Sequence, residues 1–260
     1  ASYDYKNILP DNTNYVPCWE SISSLDIVSS IATDDYFGFL DDGEGQEFAN
    51  DLVDVGIGRF VVATEEESSA SVDKTIHYSV NTTKVMAPWR NNVTFIADDG
   101  DANRHLKDAE KLAAIFDSSF QVYNINKIYV DAYEQISTPS GQAAPAVNAA
   151  INERIDKGSL IMNYSGHGGE IGLGHERFLQ IPDIQSWTNY DKLSVFITAT
   201  CEFTRYDDPN RVSAGEMVFL NDKGGAISLF TTSRATFAGS NLALNRAIYL
   251  NNMFNKVDGQ

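Results

Sequence analysis

The chain has 260 residues, 43% of them hydrophobic and 21% charged; it can bury the core of one large domain, and disorder is not favoured. Its formal charge of −17 argues against nucleic-acid binding, which needs Lys and Arg to displace counterions from phosphates. Two cysteines, Cys18 and Cys201, are too few for a disulfide framework, the lack of Cys-x-x-Cys speaks against a structural zinc, and no apolar run reaches the ~18 residues of a membrane span.

Residues 1 to 20 are rich in Tyr, Asn, Asp and Pro and read as a loop; Ala1-Ser2-Tyr3-Asp4 has neither the basic nor the apolar region of a signal peptide. Asp41-Asp42-Gly43-Glu44-Gly45 reads as a solvated turn. Leu52 to Phe60 predicts a strand, since Val53, Val55 and Ile57 alternate. Thr64 and Glu67 form a capping box that opens a helix with Val72, Ile76 and Val80 on one stripe. His77 lies on that helix, away from any strand end, and reads as structural.

Asn92 to Ala97 predicts a strand ending in Asp98-Asp99-Gly100-Asp101. Ala102 to Phe116 then reads as a helix that buries Leu106, Ala109, Ala113 and Phe116. The acidic run is open to a solvated reading, with acids favoured near a helix N-terminus, and to a calcium reading, although its spacing departs from the EF-hand loop. Asn126 to Val130 is a short strand. Pro145 opens a helix with Val147, Ile151 and Ile155 stacked four apart, closed by Gly158.

Two apolar runs follow, each ending in a small-residue turn with one reactive side chain. Leu160 to Tyr164 leads into Ser165-Gly166-His167-Gly168-Gly169, and Leu193 to Thr200 leads into Cys201, 34 residues after His167. Such runs read as buried strands, and ligands of an open parallel sheet bind beyond its strand carboxyl ends. An imidazole there can take the proton of a thiol and later give it to a leaving amine. Gly168, lacking a side chain, can bring its N–H close to a substrate carbonyl, and with the Cys201 N–H it makes a candidate oxyanion hole. His175, in the loop that follows, is a weaker candidate base because nothing pins it to a strand end.

The loop after Cys201 begins with Glu202, is polar and aromatic, and suits substrate contact together with Thr200. Ser213 and Glu216 form another capping box, with Met217 and Leu220 expected inward. Ala226 to Phe230 is the last strand; Thr232, Ser233 and Phe237 in the loop after it are candidate pocket walls. A final helix runs from about Leu242 to Phe254. The alternation of strands and helices predicts an α/β fold with a mostly parallel sheet and helices on both faces.

The His-Gly and Cys turns at consecutive strand ends resemble the caspase-like cysteine peptidases. The Asn-Tyr-Ser-Gly-His-Gly sequence of residues 163 to 168, with Cys201 following, is closer still to the gingipain-like family. Ile57-Gly58-Arg59-Phe60 and Thr75-Ile76-His77-Tyr78 add to the likeness. Thr200 departs from it, since gingipains carry Ala before the Cys, but a small residue still fits. Within the family, the Tyr-Ser-Gly-His-Gly-Gly-Glu turn and Thr200-Cys201-Glu202-Phe203 are most similar to the C-terminal signal peptidases, or sortases, of the type IX secretion system.

The resemblance implies a caspase/gingipain-like three-layer sandwich, with residues 1–85 as the later part of a first subdomain and residues 86–260 as the catalytic one. It implies Cys201 as nucleophile, His167 as acid/base and Asp99, before Gly100, as the acid that orients the histidine. It places His105 where arginine-specific members carry the acid that recognises the substrate side chain, which argues against simple arginine specificity. The implied activity is a cysteine peptidase or transpeptidase that cleaves C-terminal secretion signals at the surface of a Gram-negative cell. Its expected partners are a protein or peptide substrate and an outer-membrane secretion component. A Cys-His pair needs no metal or other cofactor, although an acidic loop leaves room for a structural calcium. The alternatives are an ordinary secreted gingipain-like endopeptidase and a non-catalytic binding module on a peptidase fold.

Overall fold

A computed structural model of the chain describes residues 16–21, 26–45, 51–80, 82–139, 141–208 and 210–250. Eleven elements build its main body in chain order: α1 (Glu65–Ser79), β1 (Asn92–Ala97), α2 (Gly100–Ser119), β2 (Asn124–Tyr129), α3 (Pro145–Lys157), β3 (Ile161–Ser165), α4 (Ile181–Ser186), β4 (Ser194–Ala199), α5 (Ala214–Leu220), β5 (Ala226–Phe230) and α6 (Ala238–Leu250). The five strands form one sheet in the order β5-β4-β3-β1-β2, and every pairing is parallel.

Side chains alternate across these strands, as a period of two demands. Val93 and Phe95 of β1 and Ile161 of β3 pack with Leu112, Ala113 and Phe116 of α2 and Tyr249 of α6. Ile96, Met162 and Tyr164 face the other way, toward Val147, Ile151 and Ile155 of α3, Ile184 of α4 and Val218 of α5. Burying each large side chain contributes roughly 1.5–3 kcal/mol of transfer free energy. Asn163, on the α6 side, donates from Nδ2 to Asn245 Oδ1 at 2.8 Å and to the Tyr249 hydroxyl at 2.7 Å. The three-layer sandwich is therefore as expected.

The chain runs outward from β1 to β2, then returns to the other side of β1 for β3, β4 and β5. That reversal puts a topological switch point between β1 and β3, where a crevice opens beyond the strand carboxyl ends. The register levels the two ends, with Ala97 opposite Ser165 and Ser165 opposite Ala199. Asp98, Gly166 and Thr200 thus leave the sheet side by side.

The helices around the His167 and Cys201 turns form for local reasons the sequence shows. Pro145 opens α3, and Gly158, at φ 89°, closes it. Capping boxes open α1 at Thr64 and Glu67 and α5 at Ser213 and Glu216. α5 ends at Leu220 and buries Val218 and Phe219 most deeply; Met217 packs against the same core as expected, partly buried, while Leu220 is also only partly buried.

Two expectations fail before residue 85. Leu52 to Phe60 is no strand: Val53, Val55 and Ile57 remain 44%, 43% and 40% exposed. The segment lies against Gly38, whose carbonyl accepts the Asp54 N–H at 2.9 Å. Alternation marks a surface fit for a ladder, but a ladder also needs a neighbouring edge.

On α1, Val72 and Ile76 face solvent while Ser71 and Lys74 are buried. The Lys74 ammonium donates to the carbonyls of Phe219, Asn221 and Gly224 at 2.5, 3.0 and 3.1 Å. These carbonyls lie at and beyond the C-terminus of α5, where the helix has no further N–H to offer; that of Asn221 also accepts the Gly224 N–H, at 3.4 Å. Satisfying them sets the rotation of α1 against the pull of its apolar stripe. His77 is structural, as expected, with Nε2 2.9 Å from Asp191 Oδ1 and its ring 4.6 Å from that of Tyr190. The Asn126 to Val130 strand is longer than expected, and the final helix begins earlier, at Ala238; residues 251–254 of its expected span lie outside the described residues.

Candidate active site

His167 is fixed through its backbone. Its N–H donates to Asp98 Oδ2 at 3.0 Å, and its carbonyl accepts the Tyr164 hydroxyl at 2.6 Å and the Gly174 N–H at 2.8 Å. Asp98 is 1% exposed, and its Oδ1 also accepts the Gly100 N–H at 2.8 Å. Gly166 must be glycine, because a Cβ there would stand 2.4 Å from that of Asp98. Gly100 leaves room for the imidazole in the same way: a Cβ at that position would lie 2.9 Å from His167 Cδ2.

The His167 ring meets three side chains. His175 stacks on it with centroids 4.3 Å apart and planes 16° from parallel. His105 meets it edge-on at 5.0 Å. The carboxylate beside it belongs to Asp101, whose Oδ2 is 3.4 Å from Nε2. Asp99, expected in that role, instead accepts a hydrogen bond from Gln135 Nε2 at 2.5 Å. Asp101 reaches the ring because residues 101 to 103 turn left-handed, at φ 53°, 55° and 60°, before α2 becomes regular. Left-handed backbone costs roughly 1–2 kcal/mol per non-glycine residue; Asp101 and Asn103 are of the types that tolerate it best, but Ala102 is not, and no glycine marks the turn in the sequence. His105 is 8% exposed; burial first, and then His167, hold its imidazolium below the ordinary histidine range.

Cys201 leaves β4 one residue beyond Thr200. Its Sγ accepts the Thr236 N–H at 3.4 Å and lies 3.6 Å from the Thr236 carbonyl; no hydrogen bond joins it to His167 among the described residues. Glu202 follows at φ 48° and is pinned by its N–H to the Arg234 carbonyl at 3.1 Å. Nothing in the sequence singles out Thr236 within the loop that follows β5. Thr232 Oγ1 donates to the Thr200 carbonyl at 2.6 Å, so it braces the Cys201 turn. Ser233 turns away, donating to the Ala32 carbonyl at 3.2 Å. Phe237 is exposed.

The two turns are tied together. A Cβ on Gly168 would stand 2.6 Å from Thr200 Oγ1, so only glycine lets the His167 turn pass the end of β4 this closely. Farther out, Arg205 Nη1 donates to Glu170 Oε1 at 2.9 Å, Arg211 lies 2.9 Å from Glu170 Oε2, and the Glu170 carbonyl accepts the Ala214 N–H at 2.7 Å. A carboxylate in the histidine loop thereby clamps the loop that follows Cys201.

Two donor sets near the crevice have the make-up of metal ligands. Asp98, Asp99 and Glu176 bring carboxylate oxygens within 4.8 Å of one another, a hard-cation set with three of the 6–8 oxygens that calcium takes. Asp101, His105 and His167 form the other set.

The profile of peptidase family C25 matches residues 1–259. The chain belongs to peptidase family C25. No curated protein matches it by sequence. Among solved structures it is similar to the "Arg specific cysteine proteinase gingipain R (RGPB)", with TM-score 0.66 and 18% identity over 84% of this chain and 48% of that one. It is also similar to the Porphyromonas gingivalis complex of RgpB pro- and mature domains, with TM-score 0.65 and 19% identity over 85% and 50%. At these identities the likeness is one of fold, and the C25 chain spans about half the length of those it matches. Among its described residues no helix is long and apolar enough to cross a membrane.

Proposed function

We propose that this chain is a cysteine peptidase in which Cys201 is the nucleophile and His167 the general acid/base. The observation that carries the reading is the meeting of the two turns at one sheet edge, with Gly168 against Thr200 and Glu170 clamped to Arg205. His167 takes the thiol proton, and the thiolate attacks the substrate carbonyl. The oxyanion is held by the N–H groups of Gly168 and Cys201. His167 returns the proton to the leaving amine, and a thioacyl-enzyme forms. Water then releases an acid, or an incoming amine releases a new amide. The thiol rests on Thr236 in the free protein; catalytic hydrogen bonds of free enzymes are commonly long and tighten when substrate binds. His105, Thr200, Glu202 and Thr232 are the proposed pocket residues, and no cofactor takes part.

The finer reading is removal of C-terminal secretion signals from proteins at the cell surface. Its support is the likeness of the Tyr164 to Glu170 turn to the type IX enzymes, with a histidine at position 105 in place of an arginine-selecting acid. A peptidyl thiol-reactive probe tests the chemistry: it should label Cys201 in wild type and lose most of its rate in His167→Ala. Equal labelling of both would remove His167 from the reaction, and no labelling of Cys201 would favour a binding module. A protein bearing a C-terminal signal, incubated with an amine acceptor and weighed by mass spectrometry, separates hydrolysis from transfer. An unselective set of cuts would favour an ordinary endopeptidase.

A further inference from the structure

We propose that Asp101, His105 and His167 form a site for a divalent transition metal of the Zn²⁺ class, and that filling it turns the peptidase off. The off-switch rests on His167 being the base; the metal site itself does not.

The donors are two imidazoles and one carboxylate, the nitrogen and oxygen set that suits Zn²⁺. Asp101 Oδ2 lies 3.4 Å from His105 Nε2 and 3.4 Å from His167 Nε2. One donor atom from each of the three lies within 4.8 Å of the other two. A separation of 3.4 Å is long for an N–H···O hydrogen bond, which runs about 2.7–3.2 Å. It is the spacing of donors around a tetrahedral ion: ligands at about 2.0–2.1 Å stand roughly 3.3–3.4 Å apart.

The burial of His105 points the same way. His105 Nε2 is buried, its side chain is only 10% exposed, and it makes no hydrogen bond of good geometry among the described residues, the carboxylate near it being that of Asp101 at 3.4 Å. Leaving a buried polar atom unpaired costs about 1–3 kcal/mol, and a metal ion at this spot would satisfy it. The Asp101 side chain is 56% exposed. That gives an ion a way in and leaves its fourth position to water, the arrangement of zinc sites with three protein ligands.

The consequence for catalysis follows from the valence of imidazole. A neutral ring has one free lone pair, while its other nitrogen carries a proton. A metal ion that takes the lone pair on Nε2 leaves a ring unable to accept the Cys201 proton. The ion makes and breaks no bond in the substrate; it blocks the base.

The test begins with Zn²⁺ calorimetry and optical titration with Co²⁺ on the Cys201→Ala protein, which removes the partly exposed thiol as a competing ligand. One ion per chain is expected, with a tetrahedral Co²⁺ spectrum. In that background His105→Gln and Asp101→Asn, checked for folding by circular dichroism, should each weaken binding by about tenfold or more. No binding, or binding that both substitutions leave unchanged, overturns the site. With Cys201 intact, Zn²⁺ should slow alkylation of Cys201 by iodoacetamide, and should do so far less in His105→Gln. Metal that binds with one-to-one stoichiometry yet leaves alkylation unaffected overturns the switch. Because neither measurement needs turnover, failure of the peptidase reading is seen separately, as labelling by the peptidyl probe that does not depend on His167.

Discussion

The carboxylate of Asp98 and the backbone N–H of His167 meet at 3.0 Å across the switch point of the sheet. Asp98 thereby joins the end of β1 to the end of β3, while its other oxygen holds the Gly100 N–H. Both bonds are to a buried charged acceptor, the stronger kind of hydrogen bond.

Asp98→Asn should therefore be costly. Asparagine has one acceptor oxygen, so its NH₂ must face one of the two N–H groups. A loss of about 1.5–3 kcal/mol in stability is expected, read by urea unfolding, together with reduced labelling of Cys201 by the peptidyl probe. A variant with wild-type stability and labelling would remove Asp98 as the support of the histidine.

Gly100→Ala separates stability from activity. Alanine in place of glycine near a helix start commonly stabilises by about 0.4–1 kcal/mol. Here the new Cβ would lie 2.9 Å from His167 Cδ2, so the ring has to move. The melting temperature should change little, while the turnover rate falls by about tenfold or more, as expected for a misplaced catalytic group. An unchanged rate would show that the ring position is not critical.

The two thiols should differ sharply toward alkylation. Burial first, and then Glu20, push the Cys18 thiol up to about 12, so at pH 8 it holds almost no thiolate. Cys201 is partly exposed. Iodoacetamide on the native protein, followed by peptide mass spectrometry, should find the label on Cys201, and Cys201→Ala should abolish turnover with little change in stability. Label on Cys18 with Cys201 spared would contradict the assignment.

Lys74 should give the fold a distinctive pH response. Burial pulls its ammonium down to about 8, from an ordinary 10.5. Below about pH 8 both folded and unfolded chains hold the proton, and the desolvation cost is present in full. Between about 8 and 10.5 the unfolded chain holds a proton that the folded chain has released, so stability rises with pH across that window. Lys74→Met should abolish the response. The difference in unfolding free energy between wild type and variant should then grow by up to about 3 kcal/mol from pH 8 to 10.5. At neutral pH the variant should also be less stable, because three carbonyls lose their donor. A difference that stays flat with pH would show that Lys74 does not titrate there.

Much of this molecule could be read from local pattern. The capping boxes at Thr64 and Ser213, the Pro145 to Gly158 helix and the strands leading to His167 and Cys201 depend on side chains and backbone groups a few residues apart. The sequence states such relationships directly. The same holds for Gly168, whose missing side chain lets its N–H approach a carbonyl closely; that Gly166 and Gly100 make room for Asp98 and the His167 ring is visible only in the fold.

Tertiary structure decided what depends on partners distant in the chain. The Leu52 to Phe60 alternation found no edge to pair with, and the α1 stripe yielded to carbonyls almost 150 residues away that needed the Lys74 ammonium. Which acid of the Asp98 to Asp101 run faces the His167 ring was settled by a left-handed turn of three residues without glycine, which the tolerance of Asp101 and Asn103 for that region permits but does not specify. Thr236 came to Cys201, and Glu170 to Arg205, only because parallel strands bring successive loops to one edge of the sheet. The sequence by itself determined which turns hold His167 and Cys201; the order of the strands decided what surrounds them, because neighbours across a sheet are set by topology and not by distance along the chain.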